Sequence, residues 1–511
     1  MSDELLLGID IGTYESKGVI VSVDGKILAH AAVPHKLSLP HPGWAEHDAD
    51  SVWWRDFCQL SRELIDRANV HPKQIAAVGA STIGPAVLPV DADGRPLRPA
   101  ILYGIDTRAH NQIEALNRDI GEERIFASCY NTLSTQAIGP KIRWLKEVEP
   151  EVYRRTHMFA GGTSYLLFRL TGEWALDYYT AIGSGPMFNM STKAYDPELT
   201  RYVVEPERLP PLRWTCEVAA CVTARAAAET GLAEGTPVIV GTTDASAEAV
   251  SGGVVAPGQM MIMYGSTLFF ILVTDGLKPD GRLWTGPSLF PNTYILAGGM
   301  ATSGAMLRWF RDEFGAAEME QESRTGANAF GILADAAAKV PAGSRGLMAL
   351  PYFSGERTPI NDPLARGVIA GLTLSHSRAD AYRALLEGMG YGVRHHLEVI
   401  AELGGAPREM VAVGGGTRNP VWLQIISDIC GQKQHVAAQT FGASYGDAFL
   451  AGLGVGIFKD YRDISRWVRY ERQVNPSPKE KAVYDRYYPL YNKLYVASRE
   501  AVHALAELGA E

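Results

Sequence analysis

The chain has 511 residues, of which 46% are hydrophobic and 21% charged, and its formal net charge is −9. That length is enough for roughly two to four domains, and the lack of a basic stripe or tail argues against nucleic acid as the main partner. The five cysteines are scattered, which argues against a zinc site or a disulfide framework. The acidic start argues against a signal peptide, and the lack of a run of about 18 apolar residues argues against a membrane partner. We therefore expect a cytoplasmic protein.

The first predicted element is a β-hairpin with a carboxylate at its tip. An apolar run from Leu5 ends at Asp10, which can hold a divalent cation directly or through water. Glycine lets backbone N–H groups approach phosphate oxygens closely. The turn and its flanks supply donors for phosphate at Gly12, Thr13, Ser16 and Lys17. The alternative is an ordinary solvated hairpin, because short Gly/Asp turns are common.

Three strands are predicted over residues 5–34, followed by an amphipathic helix over 50–68. A short buried strand at 75–80 then delivers a polar loop at Ser81 and Thr82. Residues 140–170 are predicted to be mostly helical. A further buried strand ends at Asp244, and a helix begins after it. This order places Asp244 at the carboxyl end of a strand, where α/β sheets bind their ligands.

A second hairpin of the same design follows about 250 residues after the first. Residues 258–270 form a strand, a Gly-Ser-Thr turn at Gly265, Ser266 and Thr267, and another strand. Two such hairpins suggest duplicated domains that hold phosphates between their turns, with a boundary near residues 251–257. Coincidence between two Gly-rich hairpins is the alternative.

An apolar strand at 411–413 runs into Gly414, Gly415 and Gly416, and a helix is predicted to start near Val421. Successive glycines let the backbone lie close to a ligand, and the following helix N-terminus favours phosphate. The segment matches neither the P-loop nor the dinucleotide-binding fingerprint. It is therefore a weak indication of a nucleotide site, and a ligand-free connection remains the alternative.

Taken together, these segments resemble the FGGY family of carbohydrate kinases, in the actin-like, sugar-kinase and Hsp70 superfamily. The resemblance covers nearly the whole chain, and the order of the motifs is more specific than any one of them. Those around Lys141 and Gly367 fit the family signatures at most positions but not all. The motifs are Asp10 to Thr13 with Lys17, residues 42–48, 140–146, Asp244, 367–372 with Glu387, and the glycines at 414–416.

This resemblance implies an α/β fold of two ribonuclease-H-like domains around a hinged cleft. Residues 1–250 would form the sugar-binding domain, 257–455 the ATP-binding domain and 456–511 a helical tail, which docks on a domain or on a second subunit of a homodimer. Asp10 would be the metal-associated carboxylate for Mg²⁺, and Asp244 the general base. The second phosphate loop would be Gly265, Ser266 and Thr267, and the adenosine side Gly414, Gly415, Gly416 and Asn419.

The substrate is predicted less directly. The layout looks most like the xylulose kinase branch, in which a Met-His-Gly loop brings a histidine to the sugar. Here the loop is Ser81-Thr82-Ile83, so isoleucine replaces that histidine. Asp106 and Arg108 are polar groups suited to bind hydroxyls, with a surface ion pair as the alternative. We therefore expect ATP-dependent phosphorylation of a ketopentose such as D-xylulose. Another ketose or polyol, of the ribulose, erythritol or glycerol type, is the alternative.

Two other classes of function remain open. A non-catalytic actin-like ATPase would keep the phosphate hairpins but would not need a sugar pocket. A dinucleotide oxidoreductase would need a fingerprint of glycines that neither Gly8 to Gly12 nor Gly414 to Gly416 provides.

Overall fold

A computed structural model describes residues 4–438 and 441–509. Strands and α-helices are numbered here in chain order. Up to residue 251 the strands are β1 (Leu5–Ile11), β2 (Glu15–Ser22), β3 (Ile27–Pro34), β4 (Glu46–His47), β5 (Ile75–Thr82), β6 (Leu88–Val90), β7 (Ala100–Ile101), β8 (Met158–Ala160), β9 (Leu176–Asp177), β10 (Phe188–Asn189), β11 (Ala194–Tyr195), β12 (Leu212–Arg213), β13 (Val218–Cys221), β14 (Pro237–Ile239) and β15 (Thr242–Thr243). The helices of this part are α1 (Arg55–Ala68), α2 (His110–Ile120), α3 (Glu122–Cys129), α4 (Ile138–Val148), α5 (Pro150–Arg155), α6 (Gly162–Thr171), α7 (Tyr178–Ala181), α8 (Pro197–Thr200), α9 (Ala224–Thr230) and α10 (Asp244–Ser251).

The strands after residue 251 are β16 (Gln259–Tyr264), β17 (Leu268–Thr274), β18 (Trp284–Pro287), β19 (Tyr294–Met300), β20 (Met348–Leu350), β21 (Val368–Ala370), β22 (Glu409–Val413), β23 (Gln434–Ala437) and β24 (Tyr470–Val474). The helices are α11 (Gly304–Phe314), α12 (Ala316–Thr325), α13 (Ala329–Ala338), α14 (Arg378–Glu402), α15 (Pro420–Cys430), α16 (Ala443–Gly454) and α17 (Pro478–Leu508). No helix of the described residues is long and apolar enough to span a membrane.

The chain divides into two compact units. The first comprises the described residues within Met1–Pro257, Val273–Ile295 and Phe441–Val468, and the second those within Gly258–Leu272, Leu296–Thr440 and Arg469–Glu511. The first unit is built on a sheet with the strand order β13-β14-β5-β1-β2-β3. β1 pairs antiparallel with β2 and parallel with β5, so the predicted hairpin lies at the centre of this sheet.

Helix α16 belongs to the first unit, although it begins at Ala443, 200 residues after Thr243, where β15 ends. Glycine makes this packing possible. A Cβ at Gly8 of β1 would lie 1.9 Å from the Ser444 carbonyl oxygen, and one at Gly79 of β5 would lie 2.2 Å from that of Asp447. Because no side chain fits there, the helix backbone lies directly on the two strands. The predicted second domain, residues 257–455, includes α16, whereas the structure groups this helix with the first compact unit.

The second unit repeats the pattern. β16 pairs antiparallel with β17 and parallel with β22, and β22 pairs parallel with β23. β1 to β3 and β5 of the first unit have the same arrangement, a meander followed by a parallel strand, and each unit contains one of the two similar hairpins. Helix α17 buries Tyr484, Tyr488 and Tyr491, and it packs on α15 and β20 of the same unit.

The predicted elements are present, with shifted boundaries. The three strands over 5–34 and the strand at 75–80 are confirmed. The helix over 50–68 begins as a π-helical turn at Ala49–Trp54 and continues as α1. The block at 140–170 contains α4, α5 and α6, interrupted by β8. The strand before Asp244 is divided into β14 and β15 around Gly241, whose φ is +78°.

Candidate active site

Three neighbouring strands of the first unit end side by side. In the register of the sheet, Asp10 of β1 lies beside Ser81 of β5, and Ser81 lies beside Thr242 of β15. Asp244 follows β15 directly and is the first residue of α10. Parallel strands bring their carboxyl ends to one edge, so the structure places Asp10, Ser81 and Asp244 at the same edge of the sheet, as the sequence predicts for Asp244.

Ser81 links two carboxyl groups. Its hydroxyl lies 2.6 Å from Oδ2 of Asp447 and 3.1 Å from Oδ1 of Asp10. Asp447 comes from α16, and its Oδ1 is buried without a hydrogen-bond partner among the described residues. Glu248, one helical turn after Asp244, interacts electrostatically with Asp10. Four carboxyl groups therefore gather at this edge of the sheet.

Burial and mutual repulsion raise the pKa values of these four carboxyl groups, so they stay protonated at a higher pH than an ordinary carboxyl does. Burial, and then the charge of Asp244, raises the pKa of Asp10 to about 8. Burial raises the pKa of Asp244 to about 7, with a smaller contribution from Glu248. The pKa of Glu248 is raised to about 7 by burial and by Asp10, and burial raises that of Asp447 well above its usual value.

The stability of the ligand-free protein should therefore fall as pH rises. A carboxyl whose pKa is raised by folding binds a proton more tightly in the native state than in the unfolded state. Its contribution to stability is therefore complete below the pKa of the unfolded state, near 4, and is lost as pH rises through the native pKa of about 7 to 8. We expect a smaller free energy of unfolding at pH 8 than at pH 5 in urea titrations without nucleotide or divalent cation. Asp244→Asn should flatten this dependence. A stability that rises over this interval would contradict the raised pKa values.

The turn predicted to bind phosphate, residues 12–17, lies beside Asp10 and is called the phosphate-binding turn below. Lys17 is the cross-strand partner of Asp10 in the register of β1 and β2. The Gly12 N–H closes the turn onto the Glu15 carbonyl oxygen at 3.1 Å. Ser16, in contrast, points inward: its hydroxyl is fully buried and donates to Asp56 at 2.8 Å. Of the predicted phosphate donors, the structure therefore brings Gly12, Thr13 and Lys17 together, and the Ser16 hydroxyl is engaged elsewhere.

The predicted sugar residues are mostly enclosed. Thr82 is buried and its hydroxyl lies 3.1 Å from that of Thr163. Ile83 is buried too, and its N–H donates to the Ile11 carbonyl oxygen at 2.8 Å. Asp244 differs from them because the residue as a whole is only half-buried.

Asp106 and Arg108 form a buried ion pair. Nη2 of Arg108 donates to Oδ2 of Asp106 at 2.7 Å, and Nε donates to Oδ1 at 2.9 Å. The side chain of Arg108 is 1% exposed, and its guanidinium lies 3.9 Å from the centre of the Trp44 ring. Oε1 of Glu46 lies 2.8 Å from Nη1 of Arg108. Neither residue presents a free charge to solvent.

Tyr103 connects this loop to the phosphate-binding turn. Its hydroxyl lies 3.2 Å from Oγ1 of Thr13. The carbonyl oxygens of Leu102 and Tyr103 accept hydrogen bonds from Lys141, at 2.5 Å and 3.0 Å. Burial lowers the pKa of the Lys141 ammonium to about 7. The 102–108 loop thus reaches the turn through Tyr103 rather than through its charged pair.

The nucleotide residues predicted in the second unit also come together. β16 and β22 are parallel neighbours, so the turn after β16 and the glycines after β22 share one edge of the sheet. Gly414 has a φ of +88°, and a Cβ there would lie 2.7 Å from the Tyr264 carbonyl oxygen. The N-terminal backbone of α11 donates to the carbonyl oxygens of Gly265 and Ser266. Asn419 caps α15 by accepting a hydrogen bond from the Trp422 N–H at 3.1 Å.

Asp447, Glu248 and Tyr103 lie at the candidate site but were not predicted from the sequence. Asp447 does leave a signal, because it is a single acid in an otherwise apolar and small-residue helix. A buried carboxyl is costly unless it is paired or serves a site. Glu248 has the same signal more weakly, one turn after the predicted Asp244.

Comparison with known proteins agrees with this geometry. The models of the FGGY family of carbohydrate kinases match residues 5–251 with the N-terminal domain and 260–455 with the C-terminal domain. The chain is 28% identical to the xylulose kinase of Escherichia coli, over 96% of this chain and 98% of that protein. It is 30% identical to the autoinducer-2 kinase of Yersinia enterocolitica, over 94% and 92%.

A solved structure is similar over the same length. The xylulose kinase from Rhodospirillum rubrum superposes with a TM-score of 0.90 at 32% identity, covering 98% of this chain and all of that one. The fold prediction of two actin/hexokinase-like α/β domains is thereby confirmed. With both family domains matched in order along the sequence, the chain belongs to the FGGY family of carbohydrate kinases.

Proposed function

We propose that this kinase transfers the γ-phosphoryl group of ATP to a hydroxyl of a ketopentose such as D-xylulose, with Asp244 as the general base. The observation that carries the proposal is the position of Asp244, whose pKa is raised to about 7, at the sheet edge that also holds Asp10 and the phosphate-binding turn. A base poised near neutral pH can accept the proton of an attacking hydroxyl. Phosphoryl transfer otherwise needs mainly positioning and charge stabilisation.

The carboxyl groups at this edge fit a divalent cation. Oδ1 of Asp447 has no hydrogen-bond partner, and the hydroxyl of Ser81 is the only side chain that hydrogen-bonds Asp10 among the described residues. No three His, Cys, Asp or Glu side chains of residues 4–438 and 441–509 are already grouped as metal ligands. Mg²⁺ usually takes one or two carboxylates together with phosphate and water, so Asp10 is the residue that would hold it. When bound, Mg²⁺ would neutralise charge on the phosphates.

The sugar is proposed to lie beside the loop of residues 81–83 and Tyr103. Ile83 is tied to the carbonyl oxygen of Ile11, directly before Gly12, and Tyr103 reaches Thr13. Both contacts bring first-unit loops to the phosphate-binding turn. Asp106 and Arg108 remain predicted sugar contacts, but their mutual hydrogen bonds make them better suited to shape the loop than to bind a hydroxyl.

A coupled ADP-release assay tests the proposed function. The native protein is supplied with MgATP and, at equal concentration, with ketopentoses, ketohexoses, aldoses, gluconate and polyols. We expect ADP release to depend on the added compound and to be fastest with a ketopentose. ATP hydrolysis that no compound changes would overturn the kinase assignment in favour of an actin-like ATPase. A clear preference for gluconate or glycerol would overturn the ketopentose proposal alone.

Ile83→His should move the preference of the enzyme toward D-xylulose. Isoleucine cannot hydrogen-bond a substrate hydroxyl, whereas a histidine can, and buried polar groups discriminate strongly between substrates. We expect the ratio of kcat/KM for D-xylulose to that for glycerol to rise by about tenfold. Ile83→Leu, which conserves volume, is the control. An equal change in both variants would show that packing, not hydrogen bonding, sets the ratio.

A further inference from the structure

Two histidines lie directly behind the phosphate-binding turn. Nε2 of His35 is 3.0 Å from the Gly12 carbonyl oxygen, and Nε2 of His47 is 3.1 Å from that of Thr13. The two imidazole rings meet edge to face with their centres 5.0 Å apart. The side chain of His35 is 2% exposed, and His47 is equally buried. The carbonyl oxygens of two successive turn residues are therefore each contacted by a buried imidazole ring.

The partners of His47 determine its protonation. The indole N–H of Trp53 donates to Nδ1 at 3.1 Å, and an indole N–H can only donate. Nδ1 must then carry a lone pair, so the single ring proton lies on Nε2 and is donated to Thr13. Burial, together with the charge of His35, lowers the pKa of His47 to about 4. His47 is a neutral ring with both nitrogens satisfied.

His35 has a different environment because both of its nitrogens face acceptors. Nδ1 lies 2.9 Å from Oδ2 of Asp56 and 3.4 Å from the hydroxyl of Ser16, whose one proton is already donated to Asp56. Oδ1 of Asp56 accepts from Nε and Nη2 of Arg55, at 2.9 Å and 2.6 Å. Although burial opposes it, the hydrogen bonds from His35, Arg55 and Ser16 hold the pKa of Asp56 below its usual value. An ionised carboxylate and a carbonyl oxygen cannot donate, so His35 satisfies both contacts only with a proton on each nitrogen.

We propose that His35 is a positioning residue of the phosphate-binding turn and acts as an imidazolium, whose charge supplements that of Lys17 when nucleotide phosphates bind. This inference rests on the proposed function of the turn. Asp10 is close enough to both cations to be affected by them. Lys17 and His35 lower its pKa, whereas burial and Asp244 raise it. A charge behind a backbone carbonyl in a water-poor setting attracts phosphate more strongly than one in solvent.

Glutamine variants separate the charge of His35 from the hydrogen bonds. A glutamine amide has one accepting and one donating end, which matches the partners of His47 but not those of His35, where two donors are needed. We expect His35→Gln to raise KM for MgATP by about tenfold, the loss of one charge-assisted interaction, with KM for the sugar changed less than about twofold. His47→Ala should also raise KM for MgATP, and His47→Gln should restore most of the lost affinity. Equal effects of the two glutamine variants would overturn a role for the charge.

Nitrogen-15 NMR of the histidine rings tests the charge directly and needs no activity. In the nucleotide-free native protein we expect the His35 ring to show two protonated nitrogens and the His47 ring to show one, on Nε2. The signals are assigned by their loss in His35→Gln and His47→Gln, or by selective labelling if a variant does not fold. A neutral His35 ring would overturn the inference. If the His35 ring is charged but Lys17→Ala leaves KM for MgATP unchanged, the turn is not the phosphate site. That result would contradict the proposed function of the turn and not the charge of His35.

Discussion

Asp244→Asn should fold normally, bind MgATP with nearly native affinity and lose about 10²–10⁴ in kcat, the usual contribution of a positioned general base. The substituted amide keeps the size of the carboxyl and its hydrogen bond from the Ala245 N–H, which is 2.8 Å long in the native protein. It cannot accept the proton of the attacking hydroxyl. Steady-state kinetics with the best substrate of the ADP-release screen, together with nucleotide titration of the variant, measure the two quantities separately.

Glu248→Gln is the matched control for this variant. Glu248 lies one turn along the same helix, and its carboxyl also has a pKa raised to about 7. If Asp244 is the base, the control should lose far less activity. Native kcat/KM should also rise with pH through about 7, as the carboxyl of Asp244 ionises. Near-native turnover of Asp244→Asn would rule out the assignment, and equal losses in both variants would show only that the carboxyl cluster matters as a whole.

Asp106→Ala should destabilise the protein by about 3–5 kcal/mol, the usual cost of removing one partner of a buried ion pair. The substitution leaves the guanidinium of Arg108 buried without the two oxygens that it now contacts, and it removes the acceptor of the Ala45 N–H, which is 2.7 Å from Oδ2. Trp44 and Glu46 hold the guanidinium in place, so it cannot turn toward solvent without unpacking the loop. Urea unfolding measured by fluorescence gives the change in free energy.

Arg225→Ala is the matched control for the buried pair. Arg225 and Glu229 form an ion pair four residues apart on α9, with Nε 2.9 Å from Oε1, and Arg225 is 81% exposed. Surface pairs of this kind contribute about 0–1 kcal/mol. The double variant Asp106→Ala/Arg108→Ala should lose less stability than the two single variants lose in sum. When both partners of the pair are removed, neither charge is left without the other. A stable Asp106→Ala protein with weakened sugar binding would instead place the pair in the substrate pocket.

Local patterns in the sequence predicted much of the fold. The apolar run before Asp10 and the β-branched run after Lys17 form the central hairpin, and the similar apolar runs around Gly265 form the corresponding hairpin of the second unit. Alternation, glycine turns and helical spacing act over a few residues, so they are visible in a sequence alone. Asp244 at the end of a strand was also predictable, since a strand followed by a helix places that residue at the sheet edge.

Tertiary packing decided which polar groups of the site are accessible. Ser16 and Arg108 have the residue types of binding groups, yet the first donates to Asp56, 40 residues away, and the second is enclosed by Asp106, Glu46 and Trp44. The sequence did offer an Asp106–Arg108 ion pair as an alternative, but no local pattern shows Asp56, Glu46 or Trp44 as partners. The spacing of donors in a turn is the same whether a side chain points to a ligand or to the core.

The sequence by itself determined the strands, the turns and the motif order typical of the family, because these depend on neighbours along the chain. Only the tertiary structure brought Asp447 to Ser81, 366 residues away, and placed His35 and His47 behind the phosphate-binding turn. The first contact requires the backbone of α16 to lie on Gly8 and Gly79, where any Cβ would collide with it. Burial, and with it the charge state of each carboxyl and ring, follows from such long-range contacts and not from the local sequence.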